Sequence, residues 1–123
     1  MRYWWSKAEA SLNSAKREFD AGALTFAANR LYCTVFYAAS AALLERELSF
    51  KKHAGVRAAF HREFVRTGLL DVEWGKFYDQ IFEDRQEGDY IAFVSFDLEY
   101  IAAQLARRAN FLGALRPLIT SLH

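Results

Sequence analysis

The sequence predicts an all-α fold, an up-and-down bundle of four to five helices, in a single domain over residues 1–123. Three observations predict it. Apolar residues recur at alternating spacings of three and four along most of the chain, the period of an amphipathic helix. Helix-ending residues (Gly22, Gly68, Gly88 and Pro117) cut that pattern into segments of helical length. The one strand-like run, Tyr90 to Phe96, has no second run to pair with and reads as a loop.

The elements follow in order. Ser6-Lys7-Ala8-Glu9 reads as a capping box, in which the Ser6 hydroxyl and the Glu9 carboxylate each satisfy a free backbone amide. From it runs the stripe Trp5, Ala8, Leu12, Ala15 and Phe19, an amphipathic helix ending near Gly22. The short break Ala21-Gly22-Ala23 implies an antiparallel hairpin. The second helix runs from Leu24 to about Glu47, with one stripe of Leu24, Ala28, Leu31, Val35, Ala38 and Ala42. Tyr32, Phe36, Ala39 and Leu43 form a second stripe beside it. A helix apolar on nearly every side belongs in the middle of a bundle.

After the polar connection Leu48 to Lys52, a shorter third helix turns Val56, Phe60 and Phe64 inward and ends at Thr67-Gly68. Asp71 caps a fourth, whose Trp74, Phe77, Tyr78, Ile81 and Phe82 face the core until Gly88. Ser95 with Asp97 starts the fifth, with the stripe Leu98, Ile101, Leu105, Leu112 and Leu115, closed by Pro117.

Composition narrows the function classes. With 53% hydrophobic residues and a single Pro, disorder and low-complexity architectures are excluded. The lone Cys33 rules out an internal disulfide or a cysteine-based zinc site, which fits a reducing, cytoplasmic setting. The start of the chain lacks a signal-peptide core, and the longest apolar-rich run, Leu31 to Leu44, is too short to span a membrane. Eleven Phe, six Tyr and three Trp are many for one small core, so a surplus should line a partner surface. The net charge is only +1, yet residues 45–66 are basic and residues 71–99 strongly acidic. A general nucleic-acid coat is excluded; a local basic face is not.

Candidate sites follow from spacing. Trp74, Tyr78, Ile81 and Arg85 stand at i, i+4, i+7 and i+11, so a guanidinium continues an apolar stripe. It either bridges helices, with Asp89 in reach, or binds an anion in a cleft. Arg57 and His61 share a helical face, and with Lys51, Lys52 and His53 upstream form a basic patch suited to phosphate. A solvated face is the plainer reading. Asp79, Glu83 and Glu87 repeat every four residues but lack a Glu-x-x-His partner, so they read as a solvated acidic face and no metal is expected. No P-loop, dinucleotide fingerprint, HExxH or nucleophile elbow occurs, and no cofactor is expected.

Four segments carry a resemblance. Asn29-Arg30-Leu31-Tyr32-Cys33-Thr34-Val35-Phe36-Tyr37-Ala38-Ala39 resembles the Arg-x-Tyr-x-x-x-Phe-Tyr-Ala-Ala helix of small stand-alone prokaryotic HEPN proteins (higher eukaryotes and prokaryotes nucleotide-binding domain). Ser49 to Val56 resembles that family's Lys-x-His-x-Gly-Val connection. Phe64 to Leu70 and Arg85 to Tyr90 match two further family stretches in order and spacing, so the likeness spans residues 7–116.

The resemblance implies a helical bundle that forms a homodimer, with Arg85 from two chains meeting across one groove. It also implies pairing with a minimal nucleotidyltransferase in a toxin–antitoxin-like system. Many relatives are metal-independent ribonucleases whose signature is Arg, four to six residues, then His. Here Arg85 matches, but the His positions hold Tyr90, Ile91 and Ala92. The expected role is therefore a non-catalytic, nucleotide- or RNA-binding interaction subunit, with Arg85, Asp89, Tyr90, Arg57 and His61 at the anion site. The alternative is a ribonuclease toxin using Arg85 with His53 or His61 for proton transfer. Tyr90 also resembles in position a tyrosine that accepts nucleotidyl groups in some relatives.

Overall fold

The computed structural model describes the backbone of residues 2–88 and 98–119, and the side chains of residues 2–83 and 98–119. Five α-helices follow one another: α1 (Arg2–Asp20), α2 (Leu24–Glu45), α3 (His53–Phe60), α4 (Val72–Gly88) and α5 (Leu98–Leu115). A π-helical turn, His61–Val65, continues α3, and a 3-10 turn, Arg116–Leu118, follows α5. No strand occurs among the described residues, so the all-α bundle is the fold. The Tyr90 to Phe96 loop and the Ser95–Asp97 start of α5 lie outside them.

The central helix is α2, which packs against α1, α3, α4 and α5. Its burial is as broad as its composition demands: Leu31, Val35, Ala38 and Ala42 on one side, Tyr32, Ala39 and Leu43 on the other. The α1 stripe buries Trp5, Ala8, Leu12 and Ala15 against it. Both ends of this hairpin close with the same bonds. At the α1 end Ala23 N–H donates to the Glu18 carbonyl (2.8 Å) and Gly22 N–H to that of Phe19 (3.0 Å). At the α2 end Leu48 N–H donates to the Leu43 carbonyl (3.0 Å) and Glu47 N–H to that of Leu44 (2.9 Å). This closure needs a left-handed residue. Gly22 supplies it easily at φ 81°; Glu47, at φ 62°, adopts it with a side chain and ends α2 two residues before the expected boundary.

Two local expectations fail. Ser6 does not cap α1, because the helix already runs from Arg2 and Ser6 is an exposed position inside it. The buried Trp5 and half-buried Trp4 make an earlier turn worth forming, and packing outweighs a local capping signal. Leu98, expected on the α5 stripe, is 57% exposed at the first residue of that helix. The Asp71 cap does form: its Oδ1 accepts the Glu73 N–H at 2.9 Å, a bond of a kind that contributes about 1 kcal/mol.

An aromatic cluster joins α3, the π turn, α4 and α5. Phe60 and Phe111 are fully buried, with Phe64, Phe77, Tyr78 and the half-buried Trp74 around them. Burial pushes the Tyr78 hydroxyl well above the usual phenol range, so it stays neutral. This cluster fixes the α3–α4 hairpin, and with it the side chains of the candidate site.

Candidate functional site

The site is assembled across the α3–α4 hairpin. Arg57 and His61 project from one face of α3 and its π continuation, four residues apart. The opposing helix approaches unusually closely at Gly75. A Cβ there would stand 2.8 Å from His61 Cε1, 3.2 Å from Nδ1 and 3.3 Å from Val65 Cγ1. Only a residue without a side chain fits that gap without displacing the imidazole.

One turn along α4, Asp79 joins both groups. Its Oδ1 accepts a hydrogen bond from His61 Nε2 at 2.9 Å and a longer one from Arg57 Nη1 at 3.4 Å. A carboxylate can only accept, so Nε2 carries the proton. The Arg57 guanidinium also lies 4.1 Å from the centre of the Phe82 ring. All three ionic side chains are partly open to solvent, Arg57 at 33%, His61 at 24% and Asp79 at 41%. Charge pairs so exposed are screened and contribute little to stability. What they do is orient.

That orientation limits the chemistry. His61 has one nitrogen bonded to Asp79 and the Cε1–Nδ1 edge pressed on Gly75. Nε2 is committed to Asp79, so any proton transfer by His61 falls to Nδ1, on the edge that faces Gly75. Arg57 is different: its further N–H groups stand at a partly exposed face, suited to a phosphate oxygen.

The basic patch is thus narrower than its sequence suggests. Arg57 and His61 are not on a merely solvated face, and Asp79 is not simply part of an acidic one. Arg62 instead pairs with neighbouring Glu63 at 3.7 Å. Among the described residues, no group of three or more His, Cys, Asp or Glu could hold a metal ion.

His53 is placed elsewhere, at the first position of α3. Its Nδ1 lies 2.6 Å from the Tyr32 hydroxyl, and its ring stacks on Phe36 with centroids 4.0 Å apart. This partnership was not legible in the spacing, because it joins α3 to α2 across a connecting loop. The closest local hint is Gly55, where a Cβ would sit 3.2 Å from Phe50 Cβ, so the connection folds tightly over the start of α3.

Arg85 belongs to the last turns of α4, and its side chain, with Asp89 and Tyr90, lies outside the described residues. The pairing of His61 and Arg57 with Asp79, and of Arg57 with Phe82, makes α3 and α4 antiparallel. The α4 end that carries Arg85 therefore lies toward the start of α3, where Lys51, Lys52 and His53 stand.

Comparison with known sequences identifies this architecture. The HEPN domain profile matches residues 1–116, nearly the whole chain. The chain belongs to the HEPN family. This HEPN chain is 43% identical over 122 residues to a "UPF0332 protein" of Thermotoga maritima, covering 99% of this chain and 92% of the relative. It is 33% identical over 115 residues to a Methanocaldococcus jannaschii protein named "Putative toxin MJ0142", covering 94% and 78% of the two chains. A second protein of that organism, "Putative toxin MJ0605", is 35% identical over 83 residues, 68% of this chain and 62% of its own length. Among the described residues of this HEPN domain, no helix is long and apolar enough to cross a membrane.

Proposed function

We propose that this HEPN protein is a non-catalytic binding and interaction subunit of a toxin–antitoxin-like pair. It acts as a homodimer, engages nucleotide or RNA phosphate through Arg57 and Arg85, and docks a minimal nucleotidyltransferase. The observation that carries this reading is the commitment of His61 Nε2 to Asp79 in a chain with no histidine at the signature positions. The signature His positions hold Tyr90, Ile91 and Ala92, so the arginine has no adjacent proton donor of the family type. An arginine without that donor still binds a phosphate.

Purified protein incubated with single-stranded RNA in EDTA is expected to leave it intact while binding it. Arg57→Ala and Arg85→Ala each weaken that binding several-fold, and sedimentation gives twice the 14.2 kDa chain mass. Co-expression with a nucleotidyltransferase encoded beside it yields a complex. Cleavage in EDTA that disappears in Arg85→Ala overturns the non-catalytic reading.

The second reading is a metal-independent endoribonuclease toxin. Two relatives bear toxin names, and His53 stands toward the Arg85 end of the hairpin with its Nδ1 fixed by Tyr32. In this reading Arg85 stabilises charge on the phosphorane and His53 transfers the proton. Loss of cleavage in His53→Ala, but not in His61→Ala, is its signature.

A further inference from the structure

A line of rings runs across the face formed by α1, α2 and the start of α3. Tyr3 meets Trp4 edge-on at 5.4 Å, Trp4 meets Tyr37 at 5.7 Å, and Tyr37 meets Phe36 at 5.8 Å. Phe36 stacks on His53 at 4.0 Å. These rings stand at or near the surface: Tyr3 is 65% exposed, His53 is exposed, and Trp4, Phe36 and Tyr37 are half-buried. They are part of the aromatic surplus that the core does not take up.

Cations are set among them. Lys7 Nζ lies 5.1 Å from the Tyr3 ring, 5.4 Å from Trp4 and 4.8 Å from Tyr37. The groups that act on this ammonium are Tyr3, Tyr37 and Cys33, none of them a carboxylate, and together they hold its pKa above the usual lysine value. Exposed Lys51 and Lys52 stand immediately before His53 at the other end of the line, and the first turn of α1 carries no acid.

We propose that this face is a stacking track for single-stranded RNA, with bases laid on the Tyr3 and Phe36–His53 rings and backbone phosphates held by Lys7, Lys51 and Lys52. The proposal rests on the RNA-binding reading above and gives it a second contact surface, away from Asp79. Alternating rings and positive charge are what an unstructured strand needs, since every base offers a π face and every linkage a negative charge. A duplex hides its base faces in its own stack and fits less well. A second copy of the chain, related by a two-fold axis, would bring like charges together at the same patch.

The test is fluorescence anisotropy with a labelled oligouridylate, an abasic oligomer of equal length and a duplex RNA. Tyr3→Ala and Lys7→Glu remove exposed or surface groups and should leave the fold intact, which circular dichroism checks. Phe26→Ala, 65% exposed at the far end of α2, is the control. The oligouridylate is expected to bind more tightly than the abasic and duplex RNAs. Tyr3→Ala and Lys7→Glu should each weaken it about tenfold. Lys7→Gln should reduce the slope of log affinity against log salt by about one.

Equal affinity for the abasic oligomer overturns stacking. RNA binding that is lost in Arg57→Ala but unchanged in Tyr3→Ala and Lys7→Glu overturns the track and leaves the functional reading standing. Absence of RNA binding by the wild-type chain removes both. A loss of dimer mass in the variants, with RNA affinity unchanged, assigns the face to contact between copies and overturns the proposal.

Discussion

Replacing Phe60 by Ala is expected to lower the free energy of unfolding by about 3–5 kcal/mol. The ring is fully buried and touches Tyr78 at 5.0 Å, Phe64 and Phe111 at 5.8 Å and His61 at 6.1 Å. Its neighbours come from the π turn, α4 and α5, so no single side chain can swing in to fill the space. The helix that carries it has only eight residues, too few to be stable by its own hydrogen bonds. It is held by this ring and by Val56 and Ala59, which are also buried. Set against a total stability of about 5–15 kcal/mol, the loss is large. Thermal unfolding should shift down by on the order of 15–30 °C. Phe60→Leu keeps most of the volume and should lose well under half as much. A Phe60→Ala midpoint within a few degrees of wild type would mean that the aromatic cluster repacks freely.

The same residue shows how far the sequence could be read. Phe60 was identifiable as core from its spacing to Val56 and Phe64, since helical periodicity is a local property that survives without knowledge of neighbours. The all-round apolar character of α2 likewise placed it at the centre of the bundle. The π turn was not legible. It changes the register of one short segment, and no residue type demands it.

The candidate site divides in the same way. Arg57 and His61 on one face followed from their spacing of four. Their joint attachment to Asp79 could not, because that contact depends on how α3 and α4 dock. Gly75 is not marked by spacing at all; its use as a gap for the imidazole appears once the second helix is in place.

Arg108 gives the second large expected effect, and it concerns a charge that spacing could have found. Ile101, Leu105, Arg108, Leu112 and Leu115 stand at i, i+4, i+7, i+11 and i+14, the same interruption of an apolar stripe that marks Arg85. Arg108 is only 5% exposed. Its Nε donates to the Leu31 carbonyl at 3.4 Å, its Nη1 donates to Gln104 Oε1, and its guanidinium lies 5.0 Å from the Phe77 ring. It therefore ties α5 to the middle of α2 and to α4.

Arg108→Ala deletes these bonds and leaves a cavity along the stem, for an expected loss of about 2–4 kcal/mol in urea denaturation. Arg108→Met fills the stem's volume without a buried charge. It should cost clearly less than Ala, because replacing a buried ion by a packed apolar side chain recovers its desolvation penalty. If Met proves as damaging as Ala, the polar contacts carry the joint. If both are near neutral, the guanidinium reaches water and α5 is held by its apolar contacts, Ile101, Phe111, Leu112 and Leu115 among them. The expected order, wild type and Met close together with Ala well below, makes Arg108 a packing strut whose charge is incidental to stability.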